Sequence, residues 1–305
     1  MHIAGTDKAI AACMLVAAGF LGSAAQSPAH AAEAPLELRV ITSSAASLHT
    51  NFTLILGKQD AVLVDAPFTR SDAHRLVADI LESGKVLKTI YITHDHPDHF
   101  FSLDVLTGSF PNADIIAAPV VVADIWRSIP LKLKRWGPLL GSNGPRHPVA
   151  PRAFEASFFE LEGQRLEILG PMQGDHVHST ALYIPALKAL ICGDLVFNRI
   201  HLWFGESLAP QRRAWLESID GLIALNPVTV VAGHKVPGLP DDSQALNFTR
   251  SYLVAFEKAV GRAKNSAELI AAMRTEFPDT QDVIDDFILV TSSKVAMGEI
   301  PPWQE

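Results

Sequence analysis

Residues 87–99 read Leu87-Lys88-Thr89-Ile90-Tyr91-Ile92-Thr93-His94-Asp95-His96-Pro97-Asp98-His99. An apolar, β-branched run ends in a segment that packs three imidazoles and two carboxylates into six residues. Imidazole and carboxylate are good ligands for zinc and related divalent ions, so a strand that ends in this cluster is a metal-site signature. His94 and His96 are two residues apart, and an extended or tightly turned backbone can aim both at one ion. Pro97 stiffens the turn that follows, and Asp98 and His99 can then point toward a second ion. Isolated histidines such as His74 and His147 carry no such signal and read as ordinary surface residues.

The pattern His94-x-His96-x-Asp98-His99 after a strand resembles the signature of the metallo-β-lactamase superfamily. The resemblance implies an α/β fold: an αββα four-layer sandwich of two mixed β-sheets with helices outside. The metals would sit at one edge of the sandwich, held by loops from both halves. It also implies a third His for the first metal, a bridging Asp, and a late His for the second metal. The third His falls in Gln173-Gly174-Asp175-His176-Val177-His178-Ser179-Thr180, ahead of the apolar strand 181–185. His176 sits nearer the family's usual distance from that strand and is the expected ligand. His178 is the alternative, and whichever is left over becomes a partner of a ligand or a donor to substrate.

Leu190-Ile191-Cys192-Gly193-Asp194 resembles the family's Gly-Asp, in which Gly lets the backbone approach closely and Asp194 spans both cations. Thr229-Val230-Val231-Ala232-Gly233-His234 matches its final His. The implied set is His94, His96 and His176 on one ion, Asp98, His99 and His234 on the other, and Asp194 between them. Asp65, at the end of the strand 61–65, matches a family Asp that supports the metal loop without ligating. The resemblance runs from about Leu38 to His234.

Composition narrows the rest. The chain has 305 residues, 48% apolar and 19% charged, enough for a large core and unlike a disordered chain. A net charge of −8 without any basic stripe disfavours nucleic acid, and a small-molecule substrate is expected instead. Lys8 is followed by the small-residue apolar core 9–21, and Ala29-His30-Ala31 fits the small-x-small cleavage rule. We read 1–31 as a signal peptide, with an uncleaved anchor as the alternative. Cleavage would give a periplasmic or secreted protein without stable membrane insertion. It would also leave Cys192 as the one cysteine, a small core residue and no disulfide partner.

The catalytic domain is expected over 32–240. Its strands lie at 36–42, 51–56, 61–65, 114–118, 154–161 and 164–169, and its helices at 71–83, 99–106 and 211–225. The stretch 120–140 holds Trp126 and Trp136 among basic residues and is broken by Pro130 and Pro138. It reads either as a lid or pocket wall or as a helix on the outer face of the sandwich. A helical extension follows over 241–305, with helices at 243–263, 266–276 and 281–292. Covering the sandwich, shaping the pocket and forming a homodimer are its open alternatives.

What the resemblance implies chemically is a metal-dependent hydrolase with two divalent ions. Zinc is expected, with iron and manganese as alternatives. A metal-bridging hydroxide would cleave an ester, lactone, thioester or amide, with Asp98 as the catalytic carboxylate. Asn198, His201 and Trp203, just after Asp194, are candidates for substrate contact. A mononuclear iron persulfide dioxygenase, using His94, His176 and Asp194, is the alternative from another enzyme class, and a β-lactam-hydrolysing enzyme is the second alternative.

Overall fold

The computed structural model describes residues 36–304, so the leader expected at 1–31 lies outside the described residues. Two mixed sheets face each other. The first has the order β1 (Glu37–Thr42), β2 (Asn51–Leu56), β3 (Asp60–Val64), β4 (Val86–Ile92), β5 (Asp114–Ala117), β6 (Arg152–Ala153). It is antiparallel through β3 and parallel beyond it. The second runs β12 (Thr229–Val231), β10 (Ala189–Ile191), β9 (Ser179–Ile184), β8 (Gln164–Met172), β7 (Phe158–Leu161). A short parallel pair, β11 (Phe197–Asn198) with β13 (His234–Lys235), stands apart.

Three apolar clusters separate the layers. Ile55, Val62, Val64 and Tyr91 meet Leu166, Leu182, Ile184 and Ile191 between the sheets. Leu54, Leu63, Ile90 and Ile92, on the opposite face of the first sheet, pack on α1 (Arg70–Glu82), α2 (Leu103–Ser109) and α3 (Pro119–Leu140). On the second sheet's outer face, Leu190, Cys192 and Val230 pack with Trp215 of α4 (Ala209–Ala224), Tyr252 and Phe256 of α5 (Gln244–Val260), and Met273 of α6 (Ser266–Glu276). The architecture is therefore αββα. The first sheet is covered on both faces, so every residue of β2 is buried, Asn51 and Thr53 included.

Four expectations need correction. In place of a helix at 99–106 the chain makes a 3-10 turn at Pro97–His99 and then α2, and of the strand expected at 154–161 only Phe158–Leu161 forms. Pro130 and Pro138 do not break the stretch after β5; both lie inside the single helix α3. Val121, Ile125 and Ile129 are buried and Leu133, Trp136 and Leu140 partly so, a spacing of three to four residues that keeps one face on the core. That burial offsets the helix hydrogen bonds the prolines cannot make. The last helix is not 281–292 but α7 (Phe287–Ala296). Gln281 is held extended beside Ile200: its N–H donates to Arg199 O, and its carbonyl accepts from His201 N, both at 2.9 Å. Asp285 and Asp286 then take positive φ, 34° and 65°, which no helix interior accommodates. The segment 281–286 is thereby freed to wall the site.

Candidate metal centre

Four segments end at the same edge of the sandwich. β4 stops at Ile92, and Pro97–His99 form one 3-10 turn just beyond it. Asp194 sits in a second such turn after β10, His234 opens β13 after β12, and Asp175 lies in the loop between β8 and β9. The halves are tied at this edge. Thr180 N donates to Thr93 O at 3.0 Å, and Asn51 Nδ2 donates to Ala232 O at 2.9 Å. The site is thus built where the two sheets are stitched together.

Two buried groups result, each with its ligand-type atoms within 4.8 Å of one another. One holds His94, His96, Asp175 and Asp194; the other holds Asp98, His99, Asp194 and His234. Asp194 belongs to both. Its Oδ1 is 3.1 Å from His99 Nε2, and its Oδ2 is 3.3 Å from His234 Nε2 and 3.6 Å from His94 Nε2. Glycine makes this approach possible: a Cβ on Gly233 would overlap the Asp194 carboxylate, and one on Gly193 would meet Thr93 Oγ1. Gly193 also has φ +49°, which disfavours any other residue.

Each imidazole has its outward nitrogen engaged. Thr93 Oγ1 donates to Asp65 Oδ2 at 2.8 Å, so its oxygen accepts from His94 Nδ1 at 2.9 Å. His99 Nδ1 donates to the same Asp65 oxygen at 2.8 Å, and His234 Nδ1 to Leu48 O at 2.9 Å. His96 is turned the other way: Nε2 donates to Glu206 Oε1 at 3.1 Å, leaving Nδ1 facing Asp175 Oδ2 at 3.0 Å. These partners fix each ring's orientation and tautomer, as outer partners of metal-bound histidines do. Asp65 takes the supporting role expected of it, and its other oxygen accepts from Thr93 N at 2.8 Å.

The charge balance points the same way. Burial, with His99 beside it, pushes His94 down to about 4. Burial also opposes charge on His96, His99 and His234, yet carboxylates outweigh it. Asp175 and Glu206 hold His96 well above its ordinary value, Asp194 and Asp65 do so for His99, and Asp194 lifts His234 to about 10. Burial would raise Asp194 and Asp98, but His234 and His99 hold both below the ordinary carboxylate range. Asp175 is pushed up to about 7 by burial, against the pull of His96. Among buried atoms without a hydrogen-bond partner are His94 Nε2, His99 Nε2, both oxygens of Asp175, and Asp194 Oδ1. Leaving such atoms unpaired is costly, and cations between them would satisfy them together. The residues therefore fit two divalent ions.

His176 belongs to neither group. Its Nε2 lies 3.2 Å from Asp95 Oδ1, while Lys132 Nζ donates to the other oxygen of that carboxylate at 3.0 Å. His178 pairs with Asp124 at 2.6 Å. A tight turn, with Gly174 N donating to His176 O at 2.9 Å, sends Asp175 inward instead. Asp175 carried no separate signal beside two histidines, and Glu206 lay in no motif. Of the substrate candidates, His201 and Trp203 line the cavity over the metal groups and Asn198 does not. On this geometry Asp175→Ala is expected to lower bound metal from two ions per chain toward one. His176→Ala should retain both, and elemental analysis of the two variants checks this. Equal losses would return His176 to the ligand set.

The cavity encloses ≈ 610 Å³, counting its open mouth. Its floor carries Asp98, Asp175, Asp194, His96 and His234, and its sides carry Phe68, Trp136, Trp203, Ile284, Phe287 and Trp303. The stretch 120–140 thus answers to both of its readings, as a helix packed on the sandwich that also contributes Trp136 to the pocket.

Residues 47–234 match the family model described as the metallo-beta-lactamase superfamily. The fold is similar to that of TMB-1, with TM-score 0.53 and 22% identity over 74% of this chain and 99% of that one. It is also similar to a metallo-beta-lactamase from Pontibacter korlensis, with TM-score 0.53 and 20% identity over 72% and 94%. A metallo-beta-lactamase family protein from Thermus thermophilus gives TM-score 0.60 and 20% identity over 85% and 92%. At these identities the likeness is one of fold. No curated protein matches the sequence.

Proposed function

Because this chain belongs to the metallo-β-lactamase superfamily, we propose that it is a metal-dependent hydrolase that uses two divalent ions to cleave an ester, lactone, thioester or amide bond of a small molecule. The observation that carries this reading is the pair of buried His/Asp groups sharing Asp194. Ions bound there supply an activated water at neutral pH and polarise the scissile carbonyl. Imidazole and carboxylate donors suit zinc, the expected ion, as well as iron and manganese.

The chain's own residues do the rest. Asp98 lines the cavity, and its Oδ2 accepts from Thr50 Oγ1 at 2.9 Å and faces His234 Nε2 at 3.2 Å. Held ionised by His99 and His234, it can take a proton at Oδ2 from the attacking water and return it to the leaving group. No Ser or Cys nucleophile is needed. Cys192 is buried in the core, and burial raises its thiol far above the usual range. The persulfide alternative needs His176 beside Asp194, and His176 is turned to Asp95 instead.

Asp98→Ala is expected to lower turnover of the metal-loaded enzyme by at least about a hundredfold, the lower range for a lost acid–base group. Its circular dichroism should stay unchanged. Near-normal turnover in this variant would refute the assignment. We also propose that the enzyme acts after export, in the periplasm or outside the cell. The support is the apolar leader before Ala29-His30-Ala31. A mature chain beginning at Ala32 is the expected result of N-terminal sequencing, and an intact Met1 would argue against it.

A further inference from the structure

We infer that the substrate of this centre carries no negative charge away from its scissile bond and bears an alkyl or aromatic group, held against a wall that the C-terminal segment builds over the metal groups. The inference rests on the hydrolase reading above. Ile284, Phe287 and Trp303 face the same cavity as Asp98 and His234. Trp203 stacks on Phe287, with centroids 5.7 Å apart and planes 18° apart. Trp303 stands edge-on to both, at 5.8 Å and 5.5 Å. Trp136, also on the lining, meets Phe68 edge-on at 5.4 Å.

These rings are fixed in place. Trp303 N donates to Gly205 O at 2.7 Å, and the Arg135 guanidinium lies 3.9 Å from the Trp303 ring centre. The wall is therefore a built surface, of the kind that holds an apolar ligand group.

Charge decides what that group can be. Among the described residues, no Lys or Arg lines the cavity, whereas Asp98, Asp175, Asp194 and Glu206 do. His201 is the one wall residue able to become cationic away from the metal groups. It is engaged with Tyr252 Oη at 2.7 Å, and burial keeps it neutral at pH 7. A substrate with an anionic tail would thus lose its hydration without gaining a counter-charge from the wall. The wall residues 283–303 lie beyond the 47–234 family match, so this selectivity belongs to the chain's own extension.

The test uses the metal-loaded full chain and 4-nitrophenyl esters of butanoate, hexanoate and octanoate. A fourth ester is that of octanedioate with its far carboxylate free. Buried methylenes should raise kcat/KM by about fourfold each until the wall is filled. The far carboxylate should lower it by at least about tenfold relative to octanoate. Trp303→Ala and Ile284→Ala should lower the octanoate value more than the butanoate value, through KM. A readout independent of turnover is tryptophan fluorescence on titration with 2-decanone, a ketone that cannot be hydrolysed; a saturable shift is expected. Hydrolysis with no chain-length preference, an equally good free-carboxylate ester and no ketone binding would overturn the inference and leave the hydrolase reading standing. Ketone binding without hydrolysis of any ester, lactone, thioester or amide would keep the apolar site and remove the hydrolase reading.

Discussion

Replacing Asp194 by Ala is expected to leave a folded chain that holds neither ion firmly. Asp194 is the one carboxylate common to both groups, and its two oxygens face His99 on one side and His94 and His234 on the other. Without it, each group keeps two imidazoles and one Asp, and nothing couples the two positions. Losing only an outer partner of a metal ligand costs about 10–100-fold in affinity or activity. Losing a shared ligand should exceed that range for both sites, and bound metal should fall from two ions to fewer than one per chain.

The sign of the pH effect in chelator-stripped protein is also fixed. Asp194 is buried, which raises its pKa, but His234 and His99 overcome this and depress it well below its unfolded value. A carboxylate with a depressed folded pKa stabilises the fold above its unfolded pKa of about 4 and loses that contribution as pH falls. Stripped wild type should therefore exceed stripped Asp194→Ala in stability at pH 7, and the gap should narrow under acid. Urea midpoints at several pH values measure it. A gap that widens under acid would contradict the account.

The second large effect is expected at Asp65, which touches no metal position. Its carboxylate accepts from Thr93 N, Thr93 Oγ1 and His99 Nδ1, each at 2.8 Å, and is fully enclosed. Asp65→Ala strands all three donors, at about 1–3 kcal/mol apiece. The position also has φ +65°, where Asp is tolerated better than Ala, adding about 1 kcal/mol. A loss of about 4 kcal/mol would lower Tm by roughly 10 °C in a chain of this size. Asp65→Asn separates the roles. It keeps an acceptor for Thr93 N and tolerates the backbone, so more of the stability should survive. Its amide cannot accept from both Thr93 Oγ1 and His99 Nδ1, so metal retention should still fall. Thermal melts read beside metal content distinguish the two; a variant that loses neither would remove Asp65 from the account.

Much of this centre is legible before any coordinates, for a physical reason. A strand buried on both faces must be apolar and β-branched, so polar residues at its end stand out. Ile92, Ile191 and Val231 each close such a run, and His94, Asp194 and His234 follow within a few residues. Backbone direction inside a loop carries no such pattern. On paper His176 is preferred to His178 and Asp175 carries no signal of its own, yet the turn at Gly174 sends Asp175 inward. Glu206 meets His96 across 110 residues, and no local spacing announces that contact. The cavity wall is harder still to anticipate. Val283 and Ile284 lie on a non-helical segment where apolar spacing suggests a helix, because Gln281 is first committed to pairing beside Ile200. In α3 the prolines mislead, since packing against the first sheet outweighs their local preference.

The measurement that tests the central claim most directly is the metal content of the purified full chain, prepared without chelator and assayed for ester and lactone hydrolysis before and after stripping. The account predicts two divalent ions per chain, loss of hydrolysis on stripping, and its return when two equivalents are added back. A chain that binds one ion at most, or that hydrolyses equally well after complete stripping, would contradict it.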